Sequence, residues 1–302
     1  MLKDLEESFT THVFIDFFFD HTHGGNIIEE HKVPMTKLLE SYGLFDGCDK
    51  IVRELWQHII GRIVFEDYSP LVVEFNTSSF IRSIKCIFEE KPGGGDAAYD
   101  PLNSVIKNGK FDPLIIRLSI SPDVHNYIQS LLCHELTHAY EDFNRRKSQK
   151  GLVGQFLKTR YDLTLNAMNN NPNESVRAIA TLLHLFTSFE RNAYVAQIKA
   201  DLLYCHRKFE DIAEVVDFLR NTNTYRKYQE MLSLADSVIN TTNPQIQNAV
   251  LSVIQNISTL RFPNYNTLCK WIRNTAWKID RKFKTVIPKM ANEYLMLKRN
   301  AR

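Results

Sequence analysis

Apolar residues recur at helical spacing between residues 49 and 64, where Ile51, Val52, Leu55, Trp56, Ile59 and Ile60 share one face. That stripe predicts an amphipathic helix. His58 lies off it and is expected at the surface. Upstream, residues 2–10 predict a short helix, THVFIDFFF (11–19) a buried strand, and HKVPMTKLLESYGLF a helix that starts near Pro34 and stops at Gly43. Between the two latter stretches lies DHTHGG. Its His21 and His23, beside Asp20, are read as part of a Gly-terminated turn rather than as a second metal site. Downstream, LVVEF (71–75), FIRSIKCIF (80–88) and FDPLIIRLSIS (111–121) predict strands. KPGGGDAAYD (91–100) predicts a loop, because consecutive glycines do not hold a helix or a central strand.

Helical periodicity dominates the rest. Ser121, Pro122 and Asp123 form a helix start, and the helix is expected to run from about 122 to 146. After RRKSQK and the linker NNNPNES (169–175), one long helix is predicted up to Cys205, with Ala178, Leu182, Leu185, Phe189, Ala193 and Ala196 on one face. Amphipathic segments then follow to the end: FEDIAEVVDFLR, TYRKYQEMLSLADSVIN, PQIQNAVLSVIQNIS and NYNTLCKWIRNTAWKIDRKFKTVI. Pro288 is expected to end or kink the last of them.

Within the helix expected from 122 lies LLCHELTHAY, residues 131–140. Residues four apart stack on one helical face, so His134 and His138 can reach one metal ion. Glu135 points beside that ion, where a general base takes a proton from water. Leu132, Leu136, Thr137 and Ala139 give the pattern an uncharged frame, which suits a buried site. The plain alternative is two core histidines on an ordinary amphipathic helix.

Composition narrows the setting. The chain has 302 residues, is 44% hydrophobic and 24% charged, and has no run of apolar residues as long as a membrane span. Its start, MLKDLEESF, is acidic and has no apolar signal region. A cytoplasmic protein is expected, or one assembled there into something larger. Cys48, Cys86, Cys133, Cys205 and Cys269 are scattered and form no C-x-x-C, so reduced thiols are expected. Cys133 falls on a different face from His134 and is not taken as a ligand. Charge is uneven. Residues 261–302 hold eleven Lys and Arg against Asp280 and Glu293, a net +9, while the remaining 260 residues carry −7. A basic helix of this kind is either a plain solvated face or a dock for an acidic protein partner, including the acidic body of another copy. Nucleic acid is disfavoured because no recognition motif accompanies the charge.

From Leu131 to Tyr140 the sequence resembles the zincin superfamily of zinc metallopeptidases. It is similar in particular to the gluzincin branch, in which a downstream helix supplies a glutamate as third ligand. The matching residue is Glu190 in SFERNAYVAQIKADL, 52 residues after His138. The resemblance implies zinc held by His134, His138 and Glu190, Glu135 as general base, and a peptide or protein substrate. On the residues themselves, Glu190 sits beside an apolar face with Ala193 near it, where two helices can approach closely. The alternative is a surface pairing with Arg191 or a lysine. Many gluzincins carry an aspartate four residues after the ligand glutamate, orienting the first histidine; here that position is Tyr194. The family also uses an extra donor to the oxyanion, and Tyr194, Tyr204 and His206 are the candidates. The strand at 113–120 is placed where a zincin pairs a peptide along a sheet edge. HELTHAYEDFNR with a later ERNAY helix also resembles the zincin-like virion proteins (neck, ring or tail) of crAss-like tailed bacteriophages.

The expected architecture is therefore α+β. A zincin-like metal-binding domain over 1–210 combines a twisted sheet, an active-site helix and a second ligand helix. An all-helical C-terminal extension over 211–302 ends in the basic helix. Two functions compete: an active peptidase, or a structural virion subunit that docks on a neighbour through the basic helix.

Overall fold

A computed structural model describes residues 48–64, 67–76, 78–89, 96–119, 128–148, 163–164, 166–205, 207–258 and 260–300. The elements expected before Gly43, the His21/His23 turn, the helix start at Ser121 and the side chain of His206 lie outside the described residues.

The chain adopts the α+β class expected of it. Helix α1 (Cys48–Val64) buries Ile51, Val52, Leu55 and Ile59, and His58 is exposed. The strands are β1 (Leu71–Glu74), β2 (Ser83–Glu89), β3 (Asp96–Tyr99), β4 (Ile106–Lys107), β5 (Lys110–Phe111) and β6 (Leu114–Ser119). Four of them form a mixed sheet in the order β1-β2-β6-β3, with β2 and β6 parallel and the outer pairings antiparallel; β4 and β5 form a separate ribbon. Burial follows position. The inner strand β6 is apolar and buried almost throughout, whereas the edge strands β1 and β3 alternate buried and exposed residues.

Two strand expectations change. The stretch 111–121 splits at Asp112 and Pro113, since proline has no N–H for a ladder. Its main part, β6, is an inner strand, so it is not the free edge expected of residues 113–120. Among the described residues the edge strand beside it is β3, inside the stretch read as a loop. Ala97 and Tyr99 face inward opposite Leu118 and Ile116, and this pairing holds four residues in a strand that local glycines disguise.

Helix α2 (Ile128–Ser148) lies against β3 and α1. The long helix expected up to Cys205 is two helices, α3 (Glu174–Leu185) and α4 (Ser188–Leu203). The break is chemical. Thr187 is extended (φ −67°, ψ 148°) and its side chain caps α4, which outweighs the apolar periodicity that runs through it. Then come α5 (Ile212–Asn221), α6 (Asn223–Ile239), α7 (Pro244–Ile257) and α8 (Tyr265–Asn300). Pro288 does not end α8. It is exposed and forfeits one helical hydrogen bond, while Ile287, Met290, Ala291 and Leu295 stay buried on either side of it.

Among the described residues two apolar cores result. The first joins α1, the sheet, α2 and α4 with the distal half of α8 through Phe283, Ile287 and Met290. The second joins α3, α6 and α7 with the proximal half of α8 through Leu268 and Ile272. Among the described residues no helix is long and apolar enough to cross a membrane. All five cysteines are free; Cys133 is buried, and its thiol meets that of Cys48.

Candidate metal centre

Leu131, Leu132, Cys133, Leu136 and Ala139 anchor α2 in the first core, and this sets the rotation of the helix. His134 and His138 then emerge one turn apart, both buried, with their Nε2 atoms 3.0 Å from each other. Glu190 is brought to them by α4, which packs along α2 and is tied to it by Asn192 Nδ2 donating to Glu141 Oε1 at 2.8 Å. Glu190 is 5% exposed, which rules out a surface pairing. Its Oε1 lies 3.1 Å from His138 Nε2 and its Oε2 3.5 Å from His134 Nε2.

The start of α4 explains why this carboxylate is available. Thr187 and Glu190 have the spacing of a capping box, in which the glutamate normally turns back to the N-cap N–H. Thr187 Oγ does accept the Glu190 N–H, at 3.2 Å. The Thr187 N–H, however, donates to the His184 carbonyl at 3.0 Å. The Glu190 side chain is thus free of the reciprocal cap and faces the histidines from the first turn of α4, whose dipole favours a negative charge.

Charge reinforces the arrangement. Burial favours the neutral form of Glu190. The charges of His138 and His184, with hydrogen bonds from His134 and His138, nevertheless hold it well below the usual carboxylate range. Burial also opposes protonation of His134, but the hydrogen bond to Glu190 and the charges of Glu135 and Glu190 raise its pKa. Glu135 moves upward, chiefly by burial, against the pull of both histidines and the Tyr99 N–H.

Glu135 stands beside the cluster. Its Oε1 is 4.0 Å from His134 Nε2, and its Oε2 accepts the Tyr99 backbone N–H at 2.6 Å. Tyr99 is held in turn by its hydroxyl, which donates to Asp142 Oδ2 at 2.6 Å, and Asp142 also accepts from Arg146 at 2.8 Å. Edge strand β3 is therefore fastened to α2 at Glu135 and at Asp142.

Three ligand atoms, one each from His134, His138 and Glu190, lie within 4.8 Å of one another, so the group can hold a metal ion. The separations support the fit. A tetrahedral site with bonds of about 2.0–2.1 Å has ligand–ligand edges of about 3.3 Å, close to the 3.0, 3.1 and 3.5 Å seen here. Two imidazoles and a carboxylate form a donor set that suits a divalent cation.

The flanking candidates point elsewhere. The Tyr194 ring meets the His134 ring edge-on at 5.0 Å, but its hydroxyl donates to Met231 Sδ at 2.9 Å and does not orient His134, whose buried Nδ1 has no hydrogen-bond partner among the described residues. Tyr204 caps the far end of α4, and its hydroxyl donates to Asp49 Oδ1 at 3.0 Å. His206 lies outside the described residues. Sequence reasoning missed two participants. Tyr99 was hidden in the presumed loop. His184, in the last turn of α3, places Nε2 2.6 Å from Glu190 Oε1. The available signal was Thr-x-x-Glu at 187–190, a helix start that breaks the long helix. No family model, no curated protein and no solved structure matches the chain.

Proposed function

We propose that the chain is a zinc-dependent peptide hydrolase of the zincin type, with His134, His138 and Glu190 as ligands and Glu135 as general base. The observation that carries the reading is the buried convergence of these three donors with Glu135 directly beside them. Zinc in that position supplies a Lewis acid toward a carbonyl oxygen and a lowered pKa for water. The chain supplies the remainder. Glu135 is anchored through Oε2 by Tyr99 and presents Oε1 toward the cluster. There it takes a proton from the attacking water and passes it to the leaving nitrogen. Its raised pKa suits both steps. Edge strand β3 beside α2 is the surface along which an extended peptide pairs, the role expected earlier of residues 113–120.

Glu135→Gln tests this. The variant should keep its fold and its zinc while cleavage of a peptide library falls by about 10²–10⁴-fold. An unchanged rate removes Glu135 from the role of base, and a zinc-loaded wild type that cleaves nothing removes the hydrolase reading.

A second reading keeps the metal group and makes the chain a subunit of a larger assembly, as the likeness to virion proteins implies. The observation that favours it is the outer face of α8. There Trp277 is 59% exposed with the Arg281 guanidinium 5.3 Å over its ring, flanked by exposed Lys270, Arg273, Lys278 and Lys282. An exposed tryptophan stacked with arginine among cations has the composition of an interface centre. In this reading it docks on an acidic protein neighbour.

A further inference from the structure

His184 belongs to no motif of the metal helix, yet its imidazole makes the shortest ion-pair contact of the cluster, 2.6 Å from Nε2 to Glu190 Oε1. It reaches this place only because the chain breaks between α3 and α4. On one continuous helix, residues six apart lie about 120° apart around the axis and about 9 Å apart along it, and neither side chain could meet the other head-on. With Phe186 and Thr187 outside both helices, the C-terminal turn of α3 and the N-terminal turn of α4 present His184 and Glu190 to the same point. The His184 carbonyl also takes the Thr187 N–H and hydroxyl, at 3.0 and 2.8 Å. One residue thus holds the N-cap of α4 by its backbone and the N3 carboxylate by its side chain.

We infer that His184 is a positioning residue for the metal group: its Nε2–H holds Glu190 Oε1 and fixes the carboxylate with its oxygens toward His134 and His138. The inference rests on the metal-binding reading proposed above. His184 is not itself a fourth ligand in this arrangement, since it is outside the set of donors that lie mutually within 4.8 Å. Its function is the outer one: a ligating carboxylate that is hydrogen-bonded cannot swing away, and loss of such a partner costs about 10–100-fold in metal affinity. A metal also needs the Nε2 lone pairs of His134 and His138, so neither of those rings can go on donating to Glu190 once the site is loaded. Among the described residues, His184 is then the donor that remains.

The test compares wild type, His184→Ala and His184→Gln, each stripped of metal and titrated with zinc against a competing chelator. Cobalt is then added to each to record the visible ligand-field bands. Glutamine places an N–H near the position of the imidazole Nε2–H, whereas alanine removes it. Expected are zinc affinity about 10–100-fold weaker in His184→Ala with altered cobalt bands, and recovery of most of both in His184→Gln. Wild-type affinity and bands in His184→Ala overturn the inference while leaving the metal reading intact. So does a His184→Gln variant that keeps the wild-type metal-free melting temperature yet binds as weakly as alanine. A fall in melting temperature without a change in zinc affinity reduces His184 to a structural contact. A wild type that binds no zinc overturns the metal reading and this inference together.

Discussion

Glu190→Gln separates the electrostatic content of the cluster from its shape, because the two side chains are nearly isosteric. In metal-free protein the Glu190 carboxylate is buried among three imidazoles at 2.6, 3.1 and 3.5 Å. Removing one partner from a buried, hydrogen-bonded charge group costs about 3–5 kcal/mol. Unfolding entropy of about 2.1 cal/mol/K per residue gives about 0.6 kcal/mol per kelvin for this chain, so the melting temperature should drop by about 5–8 °C. The drop should depend on pH. Glu190 is held below its ordinary value of 4.5, so its contribution is present above about pH 4.5 and is lost as pH falls through the folded value. His134 is raised above 6.5, so its contribution is complete below that value and is lost as pH rises through the folded one. The Glu190 carboxylate is charged at both pH 6 and pH 9, whereas the His134 contribution is present at pH 6 and diminishes as pH rises. Calorimetry of chelator-treated wild type and variant at both pH values is the assay. A difference at pH 6 that is absent, or smaller than at pH 9, refutes the reasoning.

Zinc and protons compete for His134, so zinc affinity should rise with pH until the folded pKa is passed; free zinc at 100 times its Kd should stabilise by about 2.7 kcal/mol, read as about 4 °C in a melting scan. Thr187→Ala removes the cap on the Glu190 N–H. It should cost about 1 kcal/mol in chemical denaturation and weaken zinc binding as well, because the lost cap is on a ligand residue. Reversing Lys278, Arg281, Lys282 and Lys284 to glutamate should abolish any salt-sensitive assembly seen by sedimentation velocity; exposed charges are screened within about 10 Å at 0.1 M salt, and an assembly that survives both reversal and salt does not use this face.

The parts of the site legible in sequence are those set by local periodicity. His134 and His138 at i and i+4 in an uncharged frame require only that the helix form, and Leu132, Leu136 and Ala139 supply its buried face. Glu190 is reached through the resemblance to the gluzincin ligand glutamate, and the alanines at 193 and 196, both buried, are consistent with a close approach of the second helix. What stayed hidden depended on competition between signals or on distant pairing. At Thr187 a side-chain cap overrides an apolar stripe that continues on either side, and this break is what delivers His184. At Asp96–Tyr99 four residues form a strand because β6 offers them partners, a long-range fact that no window of sequence contains. Pro288 is the converse case. A local breaker was outweighed by the buried side chains of Ile287, Met290 and Leu295.

The most direct measurement is metal content and X-ray absorption on zinc-loaded wild type, with the His134→Ala/His138→Ala double variant beside it. Expected are one zinc per chain, nitrogen and oxygen neighbours at about 2.0–2.1 Å with imidazole scattering, and no zinc retained in the double variant. A wild type without zinc, a sulfur neighbour at about 2.3 Å, or a double variant that keeps its zinc contradicts a centre built from His134, His138 and Glu190.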